Sequence, residues 1–489
     1  MNHRGFDCII AGGGPAGSLC ATILAKWGRR VLLVHDGGAH GQRPAETMVA
    51  SALPAFERHG LGSILRLPQF QGTSRQGSIW GSHELQWRHL GAAERGFRLD
   101  RDEVDAALRM HARSVGVECL EGWRVLEPLS DQNRWRLRSA QGEEREVDAP
   151  VRIVACGRPH QYMRHPRTAQ LPAAEADRES ESPAGFQSCA LWTLVEATDE
   201  LRDATIVEAV EEGWLWSVPH SSGRICLTLF VDLEELKASG RDELFEKAVA
   251  SALGPAAGRP LSRVRGTLCS PRLQRAASGT FLTGDAASNI DPLSSQGIEK
   301  SLASAEDCAY AANTCMEEPS MLESLQRHRA RWEARLFNAH SRETRAFYQR
   351  ETRFADAIFW RKRQADAGAA GTSANFDSQG THSLPPGLER APQLMEAQTL
   401  KRKSRRLIST VAFKTQTSAE AMERIGSVPI APLLDLLPER TLRLLERART
   451  HPRLAGLDRS LLQQALAQLL AMGFIRAADP NQEHGSRSQ

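Results

Sequence analysis

The chain has no Cys-x-x-Cys pair, no apolar run long enough to span a membrane, and almost no excess of charge of either sign. Its nine cysteines, an odd number, stand singly from Cys8 to Cys315, so neither a disulfide framework nor a zinc site is signalled and no metal is expected. A reduced, cytoplasmic compartment is the natural expectation. The only early apolar run, residues 8–11, breaks at once into glycines and can serve neither as a signal-peptide core nor as a membrane span. No membrane partner is therefore expected. Lys+Arg at 62 against Asp+Glu at 59 leaves +3, too little for a nucleic-acid binder, which would present a dominant basic surface. Lysine is missing altogether between Lys26 and Lys237. What remains is ordinary for a globular protein: 41% hydrophobic and 25% charged residues in a chain of 489, which excludes disorder as the main state. That length allows about three domains. The partner is expected to be a small molecule or a protein.

Asp7-Cys-Ile-Ile-Ala11 suits a buried parallel strand, and Gly12-x-Gly14-x-x-Gly17 follows it into a helix-like segment from Ser18 to Trp27. Val31-Leu-Leu-Val34 closes a βαβ unit of about thirty residues. In that context the three glycines have separate tasks: a tight turn, close backbone approach to a pyrophosphate, and close packing of helix on strand. The helix N-terminus then offers N–H groups to the anion. The carboxylate for an adenosine ribose would fall at the end of the second strand, where His35 is followed by Asp36, one position later than usual. Asp36 is the candidate. Only one such glycine fingerprint is present, so no second Rossmann domain for a nicotinamide is expected.

A second motif points to FAD rather than NAD. Thr283-Gly284-Asp285-Ala-Ala287, then Asp291-Pro-Leu-Ser-Ser-Gln-Gly297, joins a strand end to a carboxylate and to a glycine turn before a helix. Such an Asp can bond a ribityl chain, and the helix N-terminus can stabilise negative charge on a reduced flavin ring. Nothing calls for a covalent flavin attachment.

These residues, with Arg43-Pro-Ala-Glu-Thr47, Arg101-x-x-x-Asp105, Val154-Ala-Cys-Gly-Arg158 and Gly213-Trp-Leu-Trp-Ser-Val-Pro219, resemble the group that unites flavin-dependent halogenases with aromatic monooxygenases. The resemblance covers about residues 5–330. It implies an α/β fold with a p-hydroxybenzoate-hydroxylase-like Rossmann FAD-binding domain, an inserted antiparallel substrate sheet and a helical C-terminal region. It implies FAD contacts from Gly12, Gly14, Ala16, Gly17, Arg43, Arg101, Val125, Gly284 and Asp285, with Pro292, Gln296, Gly297 and Ile298 beside the isoalloxazine. Residues 153–158 lack the Asp of the group's usual pattern. Within the group, Arg43-Pro-x-Glu-Thr47 and the 291–298 run look closest to the flavoprotein monooxygenases that mature tryptophylquinone cofactors, such as that of quinohemoprotein amine dehydrogenase.

Trp214-x-Trp216-x-Val-Pro219 is similar to a halogenase signature, so halogenation has to be weighed. In that chemistry a lysine captures or positions hypohalous acid, and the region where the group carries it has none here. Ser294 also stands where tryptophan halogenases place a Glu. The expectation is electrophilic hydroxylation through a C4a-hydroperoxyflavin, on a tryptophan side chain of a protein or peptide partner. Electrons would come from NADH or NADPH, or from a separate flavin reductase. A halogenase and a non-catalytic maturation chaperone are the rivals. Glu46, Trp216 and Asp291 are the candidate catalytic residues, Glu46 and Asp291 as acid/base groups with His160 and His220 beside them, while the bland alternative for Trp216 is packing.

The expected organisation is a discontinuous FAD domain over 1–182 and 263–330, and a substrate-side sheet over 183–262 with about 65–98. A helix and a Gly/Ala/Ser/Pro-rich linker fill 331–385, and a helical domain fills 386–489. There the basic run 401–406 reads as a solvated helix face or a lure for an acidic partner, and the Leu-rich stretch 430–474 as a stabilising cap or a grip on the protein target.

Overall fold

The computed structural model describes residues 5–37, 44–66, 71–72, 74–91, 94–128, 133–157, 186–220, 222–256, 263–274, 276, 279–365, 385, 387–415, 421–425, 427–452, 454 and 457–478. Two compact units divide it, Met1–Ala369 and Ala370–Gln489.

In the first unit the apolar strand Cys8–Ala11 (β1) turns at Gly12 into helix Pro15–Lys26 (α1), which ends at Gly28, and strand Val31–His35 (β2) follows. A hairpin of Arg75–Ile79 (β3) and Gln86–His89 (β4) precedes helix Arg101–Ser114 (α2), whose cap Asp100 accepts from the N–H groups of Asp102 and Glu103. Strand Glu118–Glu121 (β5) leads into a meander of Trp123–Pro128 (β6), Arg134–Ser139 (β7) and Glu144–Asp148 (β8), and Val151–Val154 (β9) follows. Next come Ser188–Val195 (β10), Ala204–Val210 (β11), Gly213–Pro219 (β12) and Ile225–Asp232 (β13). Helices Leu233–Ser239 (α3) and Arg241–Ser251 (α4) separate them from Arg265–Leu268 (β14) and Thr280–Leu282 (β15). Three helices close the unit: Gly297–Glu317 (α5), Leu322–Tyr348 (α6) and Ile358–Gln364 (α7).

Five strands form a parallel sheet in the order β15-β9-β1-β2-β5. The apolar runs of β15, β9, β1 and β2 reflect burial on both faces, whereas the edge strand β5 carries Glu118 and Glu121 exposed. The meander and the two helices after β13 carry no strong signal in the sequence, because charged residues interrupt both periods.

The second sheet has seven strands, β14-β10-β13-β12-β11-β3-β4, antiparallel except where β11 meets β3. Period-two alternation sorts its residues. Leu215, Leu227, Leu229 and Val231 pack with Leu244, Phe245 and Val249 of α4. Ala190, Trp214 and Phe230 face the other way, with Tyr348, Phe359 and Trp360. Trp214 and Phe230 pair across β12 and β13 and stack with centroids 3.9 Å apart, worth about 0.5–1.5 kcal/mol beyond the area they bury.

In the second unit, Met395–Lys403 pairs with Arg406–Lys414 in a hairpin turned at Ser404, which has a φ of 53°. The basic run 401–406 therefore lies on a hairpin tip and not on a helix face. Helices Ile430–Leu434, Thr441–Thr450 and Arg459–Ala471 follow. Leu433, Leu434, Leu444, Leu462, Leu466 and Leu469 are consumed in the unit's own core, so their leucine faces do not offer an open apolar grip. No helix among the described residues is long and apolar enough to cross a membrane.

Candidate active site

A cleft of about 1250 Å³ runs between the two sheets of the first unit. That exceeds the ~300–1,000 Å³ of ordinary ligand pockets, enough for a dinucleotide with a substrate beside it. One end is the β1–α1 turn. Gly12 has a φ of 112°, and a Cβ there would lie 2.3 Å from the carbonyl oxygen of Ala155. A Cβ on Gly17 would lie 1.9 Å from the oxygen of Gly12. A Cβ on Gly14 would meet nothing within 4 Å, and no side chain caps the helix that Gly14 opens. The turn thus leaves open space in front of unpaired helix N–H groups, which is what a pyrophosphate needs. Asp36 lines this end, 3.5 Å from Arg124. Val125 lines it too.

Opposite lies the turn at Gly284, with Asp285 facing the cleft. A Cβ on Gly284, at a φ of 66°, would sit 2.6 Å from the Cβ of Ala16, so the two motifs are packed against each other. Pro292, Gly297 and Ile298 line the cleft, and α5 starts there. Gly17, Gly284 and Gln296 do not line it; the two glycines act by close packing, and Gln296 stands at the first position before α5 without a side-chain capping bond. Arg43 and His160 lie outside the described residues. His220 is set apart from the cleft, its Nδ1 2.9 Å from the hydroxyl of Ser222.

Arg101 and Glu46 meet at the cleft wall, but chiefly through each other. The guanidinium reaches both Glu46 oxygens at 2.9 and 3.0 Å and both Asp105 oxygens at 3.2 Å. Burial opposes its charge, yet the two carboxylates hold Arg101 firmly protonated. Glu46, engaged at both oxygens, is placed to orient Arg101 rather than to carry a proton.

Asp291 is different. It is buried and lines the cleft, accepting from the N–H of Leu293 at 3.0 Å. The Tyr348 hydroxyl donates to its two oxygens at 3.1 and 3.2 Å, and Trp214 Nε1 donates to that hydroxyl at 3.2 Å. Burial pushes the Asp291 carboxyl up from its ordinary range, against the pull of these bonds. Trp216, two residues from Trp214 on the same face of β12, lines the cleft alongside. Sequence reasoning missed Tyr348, which arrives from α6, and Arg109, which lines the cleft and bonds the carbonyl of Gly13 at 3.2 Å. Neither sits in a recognisable motif.

The family described as "FAD binding domain" matches residues 6–313. The chain belongs to the FAD-binding domain family. Relatives of this FAD-binding chain include a tryptophan 2-halogenase of Chondromyces crocatus, 26% identical over 61% of this chain and 59% of that protein. The match thus spans less than two thirds of the halogenase. The FAD-dependent oxidoreductase LodB of Marinomonas mediterranea is 25% identical over 74% of this chain and 97% of its own. Among solved structures, the peptidyl tryptophan dihydroxylase QhpG, essential for tryptophylquinone cofactor biogenesis, superposes with a TM-score of 0.67 at 22% identity, over 96% of this chain and 99% of that one. The flavin-dependent halogenase CmlS gives 0.71 at 19%, over 97% and 96%. The fold is the α/β flavoprotein fold shared by these monooxygenases and halogenases.

Proposed function

We propose that the chain is an FAD-dependent monooxygenase that hydroxylates an aromatic ring, a tryptophan carried on a polypeptide, during biogenesis of a tryptophylquinone cofactor. The observation that carries this reading is the wall of the cleft. It holds a buried carboxylate, Asp291, beside Trp216, and every Lys or Arg among its described lining residues is an arginine. An amine able to capture hypohalous acid is thus not among them. The likeness in fold to QhpG supports the substrate class, and QhpG by its description acts on peptidyl tryptophan.

Bound FAD, reduced by NADH, NADPH or a separate reductase, supplies activated oxygen. In balance, an aromatic C–H, O2, two electrons and two protons give a phenolic C–OH and water. FAD would be held, without a covalent bond, by the Gly12–Ala16 turn, Asp36, Val125, Asp285 and the start of α5. The N-terminus of α5 offers partial positive charge to a reduced flavin ring. Among the described residues Asp291 Oδ2 accepts from the Tyr348 hydroxyl alone, which leaves a lone pair for the proton released as the ring gains oxygen. Trp216 walls the ring from water.

With isotope-labelled oxygen gas, reductant, chloride and a tryptophan-bearing protein target, the product should gain one or two labelled oxygens. A chlorinated product would favour a halogenase, and an unchanged target would favour a non-catalytic flavoprotein. Tyr348→Phe removes a bond that holds the Asp291 carboxyl down. If the proton leaves through Asp291, the acid limb of the pH–rate profile should move to higher pH, because activity requires the ionised carboxylate. The rate at high pH should fall less than at pH 6. A profile that keeps its acid limb would remove Asp291 as the base.

A further inference from the structure

Strand β14 is an edge. It pairs with β10 through Cys189↔Leu268, Ala190↔Thr267, Leu191↔Gly266 and Trp192↔Arg265, and among the described residues no further strand joins it. All four of its residues are exposed, and Leu268 is 59% exposed, unusual for so large an apolar side chain beside a cleft. Thr267 and Leu268 line the main cleft, and so do Ser270, Pro271, Arg272 and Gln274 after them.

The same strand borders a second hollow of about 430 Å³, lined by Cys189, Leu191, Leu233, Leu236, Arg241 and β14 itself. Leu233, Thr267 and Leu268 belong to both. The cleft therefore continues over a sheet edge into an apolar hollow. A free aromatic molecule would use neither. An extended polypeptide uses both, since backbone groups bond a strand edge while successive side chains point to opposite faces of the sheet. Ala190 and Thr267 lie on the face that lines the cleft, and Cys189, Leu191 and Leu268 on the face that borders the hollow, so residues i and i+1 of such a segment address the two in turn. One can enter the cleft while the other fills the hollow.

We propose that β14 is the docking edge for the polypeptide substrate, which adds to the seven-stranded sheet as an eighth strand, with its target ring in the cleft and the apolar side chain of the adjacent residue in the Leu191/Leu233/Leu236/Leu268 hollow. This deepens the proposed function and depends on it for the identity of the occupant.

The probe is a fluorescein-labelled nonapeptide of alternating Thr and Val with a central Trp flanked on both sides by Val, followed by anisotropy on the flavin-loaded full chain. The comparison is the same peptide N-methylated at alternate amides, in both registers. One methylated register should bind at least 10-fold more weakly, because it cannot bond the edge, while the other binds as the parent. Leu236→Asp, confirmed as folded by its flavin spectrum, should weaken the parent peptide at least 5-fold and leave N-acetyl-tryptophanamide binding unchanged. Equal binding by all three peptides would overturn the docking edge, and so would a parent peptide that binds no tighter than N-acetyl-tryptophanamide. An unchanged affinity in folded Leu236→Asp would remove the hollow. Should Leu236→Asp lose its flavin, the methylated pair decides alone. Incubation of the parent peptide and the protein target with labelled oxygen separates the two claims. Oxygen incorporation with no methylation effect leaves the enzyme and removes the edge, whereas methylation-sensitive binding with no oxygenated product from either leaves the edge and removes the monooxygenase.

Discussion

Gly14→Glu is expected to give a folded protein without flavin. A Cβ at this position meets nothing within 4 Å, so the new side chain needs no rearrangement of the turn. Its carboxylate would then stand at the uncapped N-terminus of α1, where the helix favours an anion, and would compete for the N–H groups that a pyrophosphate uses. Affinity for FAD should fall at least 100-fold, about 2.8 kcal/mol at 1.4 kcal/mol per tenfold, while far-UV circular dichroism and the melting temperature of the apoprotein stay close to wild type. Gly17→Ala is the contrast. Its methyl group would lie 1.9 Å from the Gly12 oxygen, so the strand and helix must separate. Here loss of flavin should come with a loss of stability. A yellow Gly14→Glu protein would show that the dinucleotide does not cross this turn.

Arg329→Met should destabilise the first unit more than any substitution in the cleft. Arg329 is buried, donating to Asp307 at 2.9 Å, to Glu333 at 2.6 Å, to the Leu282 carbonyl at 3.0 Å and to the Ser304 hydroxyl at 3.2 Å. Ser304 accepts from the N–H of Gly284 at 2.9 Å, and buried Lys300 donates to the Gly284 carbonyl at 2.7 Å. The network thus ties α5 and α6 to the turn that presents Asp285. Removing the guanidinium takes a buried charge partner from both Asp307 and Glu333, leaving Asp307 with His328 and Glu333 with Ser288, Ser304 and Lys300; breaking a buried pair in this way typically costs about 3–5 kcal/mol. A melting temperature lower by roughly 4–7 °C is expected for a unit of this size, together with weaker FAD binding. Arg329→Lys should recover part of both.

The same network sets a pH dependence. Burial alone would raise the Asp307 carboxyl, but the hydrogen bond from His328 and the charge of Arg329 hold it well below the usual carboxylate range. A carboxylate depressed in the folded state contributes stability above its unfolded pKa and loses it as pH falls through the folded one. That contribution should therefore persist through mildly acidic pH in the wild type. In Arg329→Met, stability should begin to fall at a higher pH. Identical acid transitions in the two proteins would count against this account.

The dinucleotide turn is legible in the sequence because its chemistry is local. Gly12 needs a positive φ and Gly17 cannot accept a Cβ, so the residue types themselves report the geometry. The apolar runs of β1, β2 and β9, and those of β10, β12 and β13, are likewise legible because these strands are buried on both faces. The hairpin at 395–414 escapes such reading, since its turn at Ser404 and Arg405 has none of the Gly or Asn that marks a tight turn.

Tertiary packing decided the rest. Arg101 reads as a cofactor contact, but folding commits it to Glu46, 55 residues away, and to Asp105. Tyr348 reaches Asp291 across 57 residues, and Arg329 reaches Leu282 across 47. β14 becomes both the end of a sheet and the lip of a cleft. Backbone sterics and burial periods act within a few residues and so leave marks in the order of amino acids. Which buried carboxylate meets which donor is settled only when helices and sheets close on each other, because an unpaired charge costs nothing until water is excluded from it.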